Sequence, residues 1–260
     1  MVTLDALRTA LFVPATRSDR FAKAAASGAD AIILDLEDAV LPDDKDAARA
    51  NLRAGFDCPV IVRINAAATP WHKADCAAVA ALDCAAVMIP KAEDPETLRR
   101  IHQTTGKPLI ALIETALGMA NARAIARTAG VVRLAFGSVD YCADLGCDHT
   151  PEALLTARCE LVLAARLGGL AGPLDGVTTR IDEPATVTAD ATRAKALGMS
   201  GKLCIHPAQI APAAQAFRPD AVQIAWANRV LAATDGAARV DGEMVDEPVR
   251  LRARAILAGA

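Results

Sequence analysis

Short apolar segments alternate with longer amphipathic segments along almost the whole chain. The apolar segments are rich in β-branched residues, end in a polar cluster and have the length of buried strands. Eight of them are predicted as strands, at residues 10–13, 31–36, 60–64, 85–89, 109–113, 131–136, 171–177 and 202–205.

An alanine-rich amphipathic segment follows each predicted strand. These segments are predicted as helices at residues 18–27, 43–53, 71–82, 94–104, 116–128, 151–167, 184–197 and 207–231. Pro151, Pro184 and Pro207 stand where a first helical turn tolerates proline. Gly106 and Gly198 stand where helices commonly end.

Eight strand and helix pairs predict an α/β fold, a (β/α)8 TIM barrel. An open doubly wound sheet usually carries a glycine-rich phosphate loop, and neither G-x-G-x-x-G nor G-x-x-x-x-G-K-[ST] occurs in the sequence. Residues 1–235 are predicted as the barrel domain and residues 236–260 as a C-terminal extension. In that extension Asp241–Gly242 favours a hairpin over residues 238–245, followed by a helix over 247–257.

Composition and charge exclude several classes of protein. The 260 residues carry 28 Lys and Arg against 31 Asp and Glu, without the basic excess of nucleic-acid-binding proteins. Charged residues interrupt every stretch long enough to span a membrane, and Asp5 and Arg8 interrupt a signal peptide. The seven scattered cysteines form no C-x-x-C pair. We therefore expect a soluble, cytoplasmic protein without nucleic-acid or membrane partners.

Polar residues follow the ends of predicted strands two to six. They are Glu37 and Asp38, Arg63 and Asn65, Pro90 and Lys91, Glu114, and Gly137, Ser138 and Asp140. In a TIM barrel the residues just past the carboxyl ends of the strands meet at one mouth, where the active site lies. The charged residues recur 23 to 28 positions apart, a regularity that random surface charge would not keep.

Up to four carboxylates would meet at this mouth: Glu37, Asp38, Glu114 and Asp140. Arg63 and Lys91 neutralise them only in part, so a divalent cation would complete the charge balance. Carboxylate oxygens without His or Cys select Mg²⁺ over Zn²⁺. Glu114 and Asp140, on adjacent strands, are the predicted metal ligands. The alternative is that these residues form ordinary ion pairs between strands.

Seven segments of the sequence together resemble one known family. They are LFVPATRSDRFAKAAASGADAIILDLEDAV, VIVRIN, VMIPKAED, LIALIET, LAFGSVDYCADLG, GKLCIHPAQI and VDGEMVDEPV. In this order they resemble the citrate lyase β-subunit-like family of the HpcH/HpaI aldolase superfamily, over about residues 11–257. The resemblance implies a Mg²⁺-dependent barrel, with Mn²⁺ as a substitute, acting on acyl thioesters of coenzyme A. Such enzymes make or break a carbon–carbon bond between an acyl thioester and a 2-oxo acid.

The same resemblance implies roles for individual residues. Glu114 and Asp140 correspond to the metal ligands, where Glu114 also meets the substrate, and Arg63 corresponds to a substrate-binding cation. The residues that correspond to contacts with the CoA thioester are Arg17, Arg20, Lys23, Ile205 and His206. Relatives commonly have Gly-Asn where this chain has Ala15–Thr16, which changes the contacts there.

The catalytic base and the assembly are also implied by the resemblance. It implies a homo-oligomer, a trimer or a hexamer built as a dimer of trimers, in which Asp246 reaches a neighbouring subunit's site as the base. From the residues alone, Asp246 is favoured as the N-cap of the last helix, and the resemblance makes the role as base an equal alternative. Glu37 and Asp38 are the alternative bases.

The predicted function is a Mg²⁺-dependent carbon–carbon lyase acting on 3-hydroxyacyl-CoA thioesters such as malyl-, citramalyl- or citryl-CoA. One alternative is the β subunit of a citrate lyase complex, acting on citryl thioester carried by an acyl carrier protein. Others are a non-catalytic CoA-thioester-binding homologue and a metal-dependent aldolase of free hydroxy-oxo acids. Schiff-base chemistry at Lys91 is disfavoured because neighbouring carboxylates would raise its pKa.

Overall fold

Eight parallel strands form a closed barrel in sequence order. The computed structural model describes residues 2–233 and 239–259. The barrel strands are β1 Thr9–Pro14, β2 Ala31–Asp35, β3 Val60–Arg63, β4 Ala86–Ile89, β5 Leu109–Ile113, β6 Val131–Phe136, β7 Leu174–Asp175 and β8 Gly201–Cys204. Strand β1 pairs with both β2 and β8, which closes the barrel. The predicted (β/α)8 barrel is therefore confirmed.

Helices surround the barrel. In chain order they are α1 Phe21–Ala25, α2 Lys45–Ala50, α3 His72–Ala81, α4 Pro95–Thr105, α5 Ala116–Ile125, α6 Ser138–Leu145, α7 Leu155–Leu167, α8 Pro184–Leu197 and α9 Ile210–Phe217. A single 3-10 turn at Leu4–Ala6 precedes β1, and three more, at Ser18–Arg20, Pro42–Asp44 and Pro207–Gln209, directly precede α1, α2 and α9. Within the described residues, no helix is long and apolar enough to cross a bilayer.

Three elements differ from the sequence prediction. Helix α6 was not predicted, because it is short and lies between Gly137 and Gly146. Strand β7 has two residues where 171–177 was predicted, since Pro173 has no amide hydrogen to donate to a neighbouring strand. The segment 207–231, predicted as one helix, is broken near Pro219, and Asp220 starts a new helix with a capping box to Gln223.

Alternate residues of the strands point into the barrel and fill it. The buried inner cluster is Leu7, Ala10, Ala31, Ile33, Ile61, Ala86, Met88, Ile110, Leu112, Ala135, Leu174 and Leu203. Side chains of a strand alternate between its two faces, so the residue two positions after an inward one also points inward. Asp35 follows Ile33, Arg63 follows Ile61, and Glu114 follows Leu112 in this way. The alternation therefore points these three polar side chains into the barrel at the carboxyl ends of their strands.

The chain divides into two compact units, Met1–Ala214 and Gln215–Ala260. The second unit contains α10 Ala221–Ala232, the antiparallel strands β9 Arg239–Val240 and β10 Glu243–Met244, and α11 Glu247–Ala258. Its small core is Ala227, Val230, Val245 and Ala253. The tail hairpin and last helix were predicted. Residue 238 of the hairpin and the predicted domain boundary after residue 235 lie outside the described residues, and that boundary stays a prediction.

Candidate active site

A cavity of about 370 Å³ opens among the carboxyl ends of the barrel strands. Its polar lining consists of Asp35, Asp38, Arg63, Glu114, Ser138 and Asp140. The structure therefore brings together four of the six charged residues predicted at the mouth, namely Asp38, Arg63, Glu114 and Asp140. Glu37 lies beside them, because its carboxylate contacts both Arg63 and Lys91.

Arg63 lies at the end of β3, and its guanidinium is fixed by carboxylates. Its Nε and Nη2 donate to the two oxygens of Asp35, each at 2.7 Å. Its Nη1 lies 3.0 Å from Glu37 Oε2 and 3.4 Å from Asp38 Oδ2. Burial alone would lower the pKa of Arg63, but the hydrogen bonds and charge of Asp35 outweigh burial and raise it. Arg63 is therefore a fixed, permanently charged group.

Glu114 follows β5 and is 1% exposed. Its Oε1 accepts the backbone N–H of Lys91 at 2.7 Å, while its Oε2 is buried without a hydrogen-bond partner. Burial, with a smaller contribution from Glu37, raises the pKa of Glu114 to about 8. Gly137 packs directly on this carboxylate, and a Cβ there would overlap Glu114 Oε2. An unpartnered buried carboxylate oxygen needs a cation or a proton.

The donors at this position suit Mg²⁺. Glu114 and Asp140 line the same cavity, and the charge of Asp140 is one of the causes that raise the pKa of Glu114. In the described part of the chain, no group of three or more His, Cys, Asp or Glu side chains has the arrangement of metal ligands. Mg²⁺ is usually held by one or two protein carboxylates, with the remaining positions left to water and substrate oxygens.

Lys91 adopts a left-handed backbone conformation, with φ of 46°. This conformation is costly for a residue with a side chain, and it turns the Lys91 N–H toward Glu114. Lys91 Nζ lies 3.3 Å from Glu37 Oε1 and 4.0 Å from Glu114 Oε1. Burial lowers the pKa of Lys91, but Glu37 and Glu114 outweigh it and raise the pKa. Lys91 is therefore protonated and pairs with carboxylates.

Lys45 supports the loop that carries Glu37 and Asp38. It is buried in the first turn of α2, and its Nζ donates to Leu36 O at 2.7 Å, Glu37 O at 2.8 Å and Asn65 Oδ1 at 2.6 Å. The ammonium also lies 5.0 Å from the centre of the Trp71 ring. One side chain thus ties the loops after β2 and β3 together.

We expect Lys45→Met to destabilise the protein by on the order of 3 kcal/mol, because it removes the Lys45 hydrogen bonds from three buried acceptors and leaves Glu37 O with the Val40 N–H alone. Urea unfolding measures this loss. Lys73→Met is the matched control, since Lys73 is exposed on α3 and its replacement should cost less than about 0.5 kcal/mol. Equal losses in the two variants would contradict the role assigned to Lys45.

Ser138 and Asp140 lie in the first turn of α6. Ser138 is buried, and its Oγ is 2.8 Å from His149 Nε2. Gly176 packs against Ser138 so closely that a Cβ at that position would overlap the Ser138 side chain. Burial and the charge of Arg158 lower the pKa of His149, so the imidazole is neutral at pH 7. These contacts fix the turn that presents Asp140 to the cavity.

A second cavity of about 330 Å³ lies beside the first, and Phe12 and Ile205 line both. Arg20, Lys23 and His206 also line it, so the structure brings together four of the five residues predicted to meet the CoA thioester. Arg17 is outside the lining of both cavities and pairs with Asp19 at 2.9 Å. The predicted role of Arg17 at the thioester therefore has no support from this arrangement.

Asp246 lies in the second unit as the N-cap of α11. Its Oδ1 accepts the N–H of Val249 at 3.1 Å. The capping role that the residues alone allowed is thus present in the chain. The role as a base stays a prediction.

Three residues of the site were missed by sequence reasoning, namely Asp35, Lys45 and His149. Asp35 holds Arg63 in place. The sequence could have predicted this position, because Asp35 alternates in step with Ile33 and Glu37 and therefore points to the same side of the strand. His149 had no such signal. It lies in the loop after α6 and reaches Ser138 only through the fold.

Comparison with known proteins identifies the family. The model of the HpcH/HpaI aldolase/citrate lyase family matches residues 8–207. A citrate lyase subunit beta-like protein of Deinococcus radiodurans is 40% identical over 96% of each chain. A (3S)-malyl-CoA thioesterase of Cereibacter sphaeroides is 35% identical over 97% of this chain and 94% of that protein.

Solved structures agree with this match. The chain resembles the CitE protein of Mycobacterium tuberculosis in complex with magnesium, acetoacetate and coenzyme A, with a TM-score of 0.88, 38% identity and 99% coverage of both chains. A citrate lyase beta subunit of the same organism, complexed with oxaloacetate and magnesium, has a TM-score of 0.75 and 36% identity, over 84% of this chain and all of that chain. The chain therefore belongs to the HpcH/HpaI aldolase/citrate lyase family and is a lyase.

Proposed function

We propose that the protein is a Mg²⁺-dependent carbon–carbon lyase that cleaves 3-hydroxyacyl-CoA thioesters, such as malyl-, citramalyl- or citryl-CoA, into a 2-oxo acid and an acyl thioester. The observation that carries the proposal is the buried Glu114 oxygen without a partner, in a cavity shared with Asp140 and Arg63. The solved relative with bound magnesium and coenzyme A supports the same chemistry.

Glu114 and Asp140 would hold the Mg²⁺, for which Mn²⁺ would substitute. Bound there, the metal supplies Lewis-acid polarisation of the substrate hydroxyl and carboxylate. The carboxylates of the site cannot all remain ionised at close range without such a cation. The two carboxylates would therefore be the protein ligands of the Mg²⁺, and water and substrate oxygens would fill its remaining positions.

Arg63 would bind the thioester oxygen, on which negative charge develops as the carbon–carbon bond breaks. Asp35 occupies Nε and Nη2 and so fixes the plane of the guanidinium. Nη1 pairs with the buried Glu37 at 3.0 Å, and its second, longer contact is to Asp38, whose side chain is 56% exposed. A substrate oxygen would replace Asp38 there. A prepositioned donor of this kind stabilises the transition state more than the ground state.

The hydroxyl proton passes to a carboxylate base. Asp38 lines the cavity, whereas Glu37 is buried and its pKa is raised by burial. Asp246 of a neighbouring subunit is the base that the family arrangement implies, in a homo-oligomer of three or six copies. The second cavity would take the CoA moiety, with Arg20 and Lys23 as partners for its phosphates.

We expect Arg63→Lys to lower kcat/KM by an amount equivalent to about 2–4 kcal/mol, because an ammonium cannot hold Asp35 with two bonds and also meet the substrate. Stability should fall as well, since Asp35 loses one of its donors. Steady-state rates divided by the concentration of folded protein separate the loss of catalysis from the loss of stability. Asp35→Asn, which keeps the guanidinium and weakens its support, should lower stability by a similar amount and kcat/KM by less. The same rate for Arg63→Lys and wild type would exclude a role in catalysis.

The direct test of the proposal is a screen of malyl-, citramalyl- and citryl-CoA with Mg²⁺, in which the released 2-oxo acid is measured. Release from at least one thioester is the expected result. Binding of the thioesters without release would favour the non-catalytic alternative. Cleavage of citryl thioester only on an acyl carrier protein would favour the citrate lyase β subunit.

A further inference from the structure

A third cavity, of about 500 Å³, lies on the outer side of the barrel wall. Its lining comes from the loop after α6, from α7, from the loop after β7 and from α8. Leu174 packs inside the barrel, so Asp175, the next residue of β7, points outward, where it meets Arg158 of α7. His149 lines this cavity and contacts Ser138, which lines the first one. The two cavities are therefore neighbours, but they share no described lining residue.

Positive charge exceeds negative charge in the lining of the third cavity. Arg158, Arg180 and Arg193 line it, and Asp190 is the one carboxylate among its described lining residues. Arg193 pairs with Asp190 at 3.2 Å, and Arg180 pairs with Glu183 at 2.7 Å. Both pairs lie at the exposed surface, where water screens an ion pair and makes it weak. An incoming anion can therefore share these two guanidinium groups at little cost.

Arg158 is the buried cation of the third cavity, with a side chain that is 8% exposed. Its Nε lies 2.8 Å from Asp175 Oδ1, and its Nη2 lies 3.5 Å from Asp175 Oδ2. Lys202 Nζ lies 3.4 Å from the same carboxylate, so one buried carboxylate serves two buried cations. Nη1 of Arg158 makes no hydrogen bond with any described residue. A buried guanidinium with an unused donor at a cavity indicates a site for an anion.

Uncharged donors complete the lining. The hydroxyl groups of Thr150 and Thr179 have no acceptor among the described residues. The first turn of α8 also lines the cavity at Ala185, and the N-cap residue Glu183 makes no side-chain hydrogen bond to the backbone N–H groups of that turn. The free N–H groups and the helix dipole place partial positive charge at this end of α8.

We propose that the third cavity binds a small phosphate-bearing anion. Guanidinium groups, threonine hydroxyls and a helix N-terminus are the donors that bind phosphate oxygens in proteins. The volume lies within the range of small-molecule sites, about 300–1,000 Å³. In and around the cavity four cations face three carboxylates, which leaves positive charge for a ligand; they are Arg158, Arg180, Arg193 and Lys202 against Asp175, Glu183 and Asp190.

Isothermal titration with pyrophosphate tests the proposal, and EDTA in the buffer prevents binding through a metal ion in the first cavity. Ala189 lines the third cavity on an exposed face of α8, so Ala189→Glu adds a carboxylate to the lining without removing a buried group. We expect this variant to bind pyrophosphate at least tenfold more weakly than wild type, because the added charge repels the ligand.

Ala196→Glu is the matched control for the titration. Ala196 is exposed on the same helix but lies outside the described lining, so the variant has the same net charge and should bind within twofold of wild type. Equal binding by folded Ala189→Glu and Ala196→Glu would place pyrophosphate elsewhere, for example at Arg20 and Lys23 of the second cavity, and would overturn the inference. Absence of binding to wild type at millimolar pyrophosphate would overturn it as well.

Two further titrations test the donors and the ligand class. Arg193→Gln removes an exposed guanidinium of the lining and should weaken pyrophosphate binding at least fivefold, whereas unchanged binding by this variant would contradict the assigned site. Tricarballylate, a tricarboxylate of similar charge, should bind wild type at least fivefold more weakly, because a carboxylate offers two oxygens in one plane to donors that lie on different sides. Equal or tighter binding of tricarballylate would refute the assignment to phosphate.

Discussion

Removal of divalent metal with EDTA should abolish 2-oxo acid release, and addition of Mg²⁺ or Mn²⁺ should restore it. The reason is the pairing of Glu114 with Asp140 in one cavity, where the buried Glu114 Oε2 has no partner of its own. Without the cation, nothing in this pair polarises the substrate hydroxyl. Borohydride with substrate should not inactivate the enzyme, since Lys91 is protonated and paired with Glu37.

Metal binding by a Glu114 variant tests whether Glu114 and Asp140 hold the cation. Glu114→Gln has nearly the same volume but loses the charge, so Mn²⁺ binding measured by electron paramagnetic resonance should weaken at least a hundredfold, equivalent to about 2.7 kcal/mol. Glu152→Gln is the control, because Glu152 is exposed and outside the cavity lining. Full activity in EDTA, or trapping of Lys91 by borohydride, would refute the Mg²⁺ mechanism.

Asp246→Asn should fold, assemble and bind Mg²⁺ but lose nearly all turnover. Asparagine can still accept the Val249 N–H and cap α11, whereas it cannot accept the substrate proton. The expected loss is on the order of a hundredfold or more in kcat, as for other positioned bases. Thermal unfolding close to that of the wild type would show that the cap is retained. Near-normal turnover would leave Asp246 with the capping role alone.

Mixing two inactive variants tests whether neighbouring subunits share a site. Arg63→Ala lacks the proposed substrate-binding cation, and Asp246→Asn lacks the proposed base. After subunit exchange, a hybrid oligomer should contain sites with an intact Arg63 and an intact Asp246 from a neighbour, so part of the activity should return. Exchange is verified by native mass spectrometry. Verified exchange without recovered activity would exclude a shared site.

The barrel and most of its mouth could be predicted because both depend on local periodicity. The strand phase that places Ile33, Ile61 and Leu112 inside the barrel also places Asp35, Arg63 and Glu114 at its end. The regular spacing of charged residues along the sequence therefore predicted that these side chains meet at one end of the barrel. Helix α6 was missed because eight residues between two glycines give too little periodicity to distinguish a helix from a loop.

Other parts of the site depend on contacts between distant segments. The hydrogen bonds of Lys45 to the backbone of residues 36 and 37 and to Asn65 require α2 to pack against the loops after β2 and β3. Nothing in the pattern around Lys45 distinguishes it from a solvent-exposed helical lysine. The same holds for His149 and its contact with Ser138. Partners of this kind are visible only once the chain is folded.

Closure of the barrel has a consequence for how the first and second cavities respond to mutation. Asp35 and Arg63 are the last residues of strands paired on both sides, so their backbone amides should exchange hydrogen only through global unfolding. Arg20 and His206 lie instead at single 3-10 turns, Ser18–Arg20 and Pro207–Gln209, whose amides should exchange through local opening. Sequence change should therefore be tolerated more readily at the second cavity, which we propose takes the CoA moiety, than at the first cavity, where we propose that the carbon–carbon bond is cleaved. Related proteins with this barrel could therefore evolve to bind a different thioester carrier while the residues of the first cavity stay unchanged.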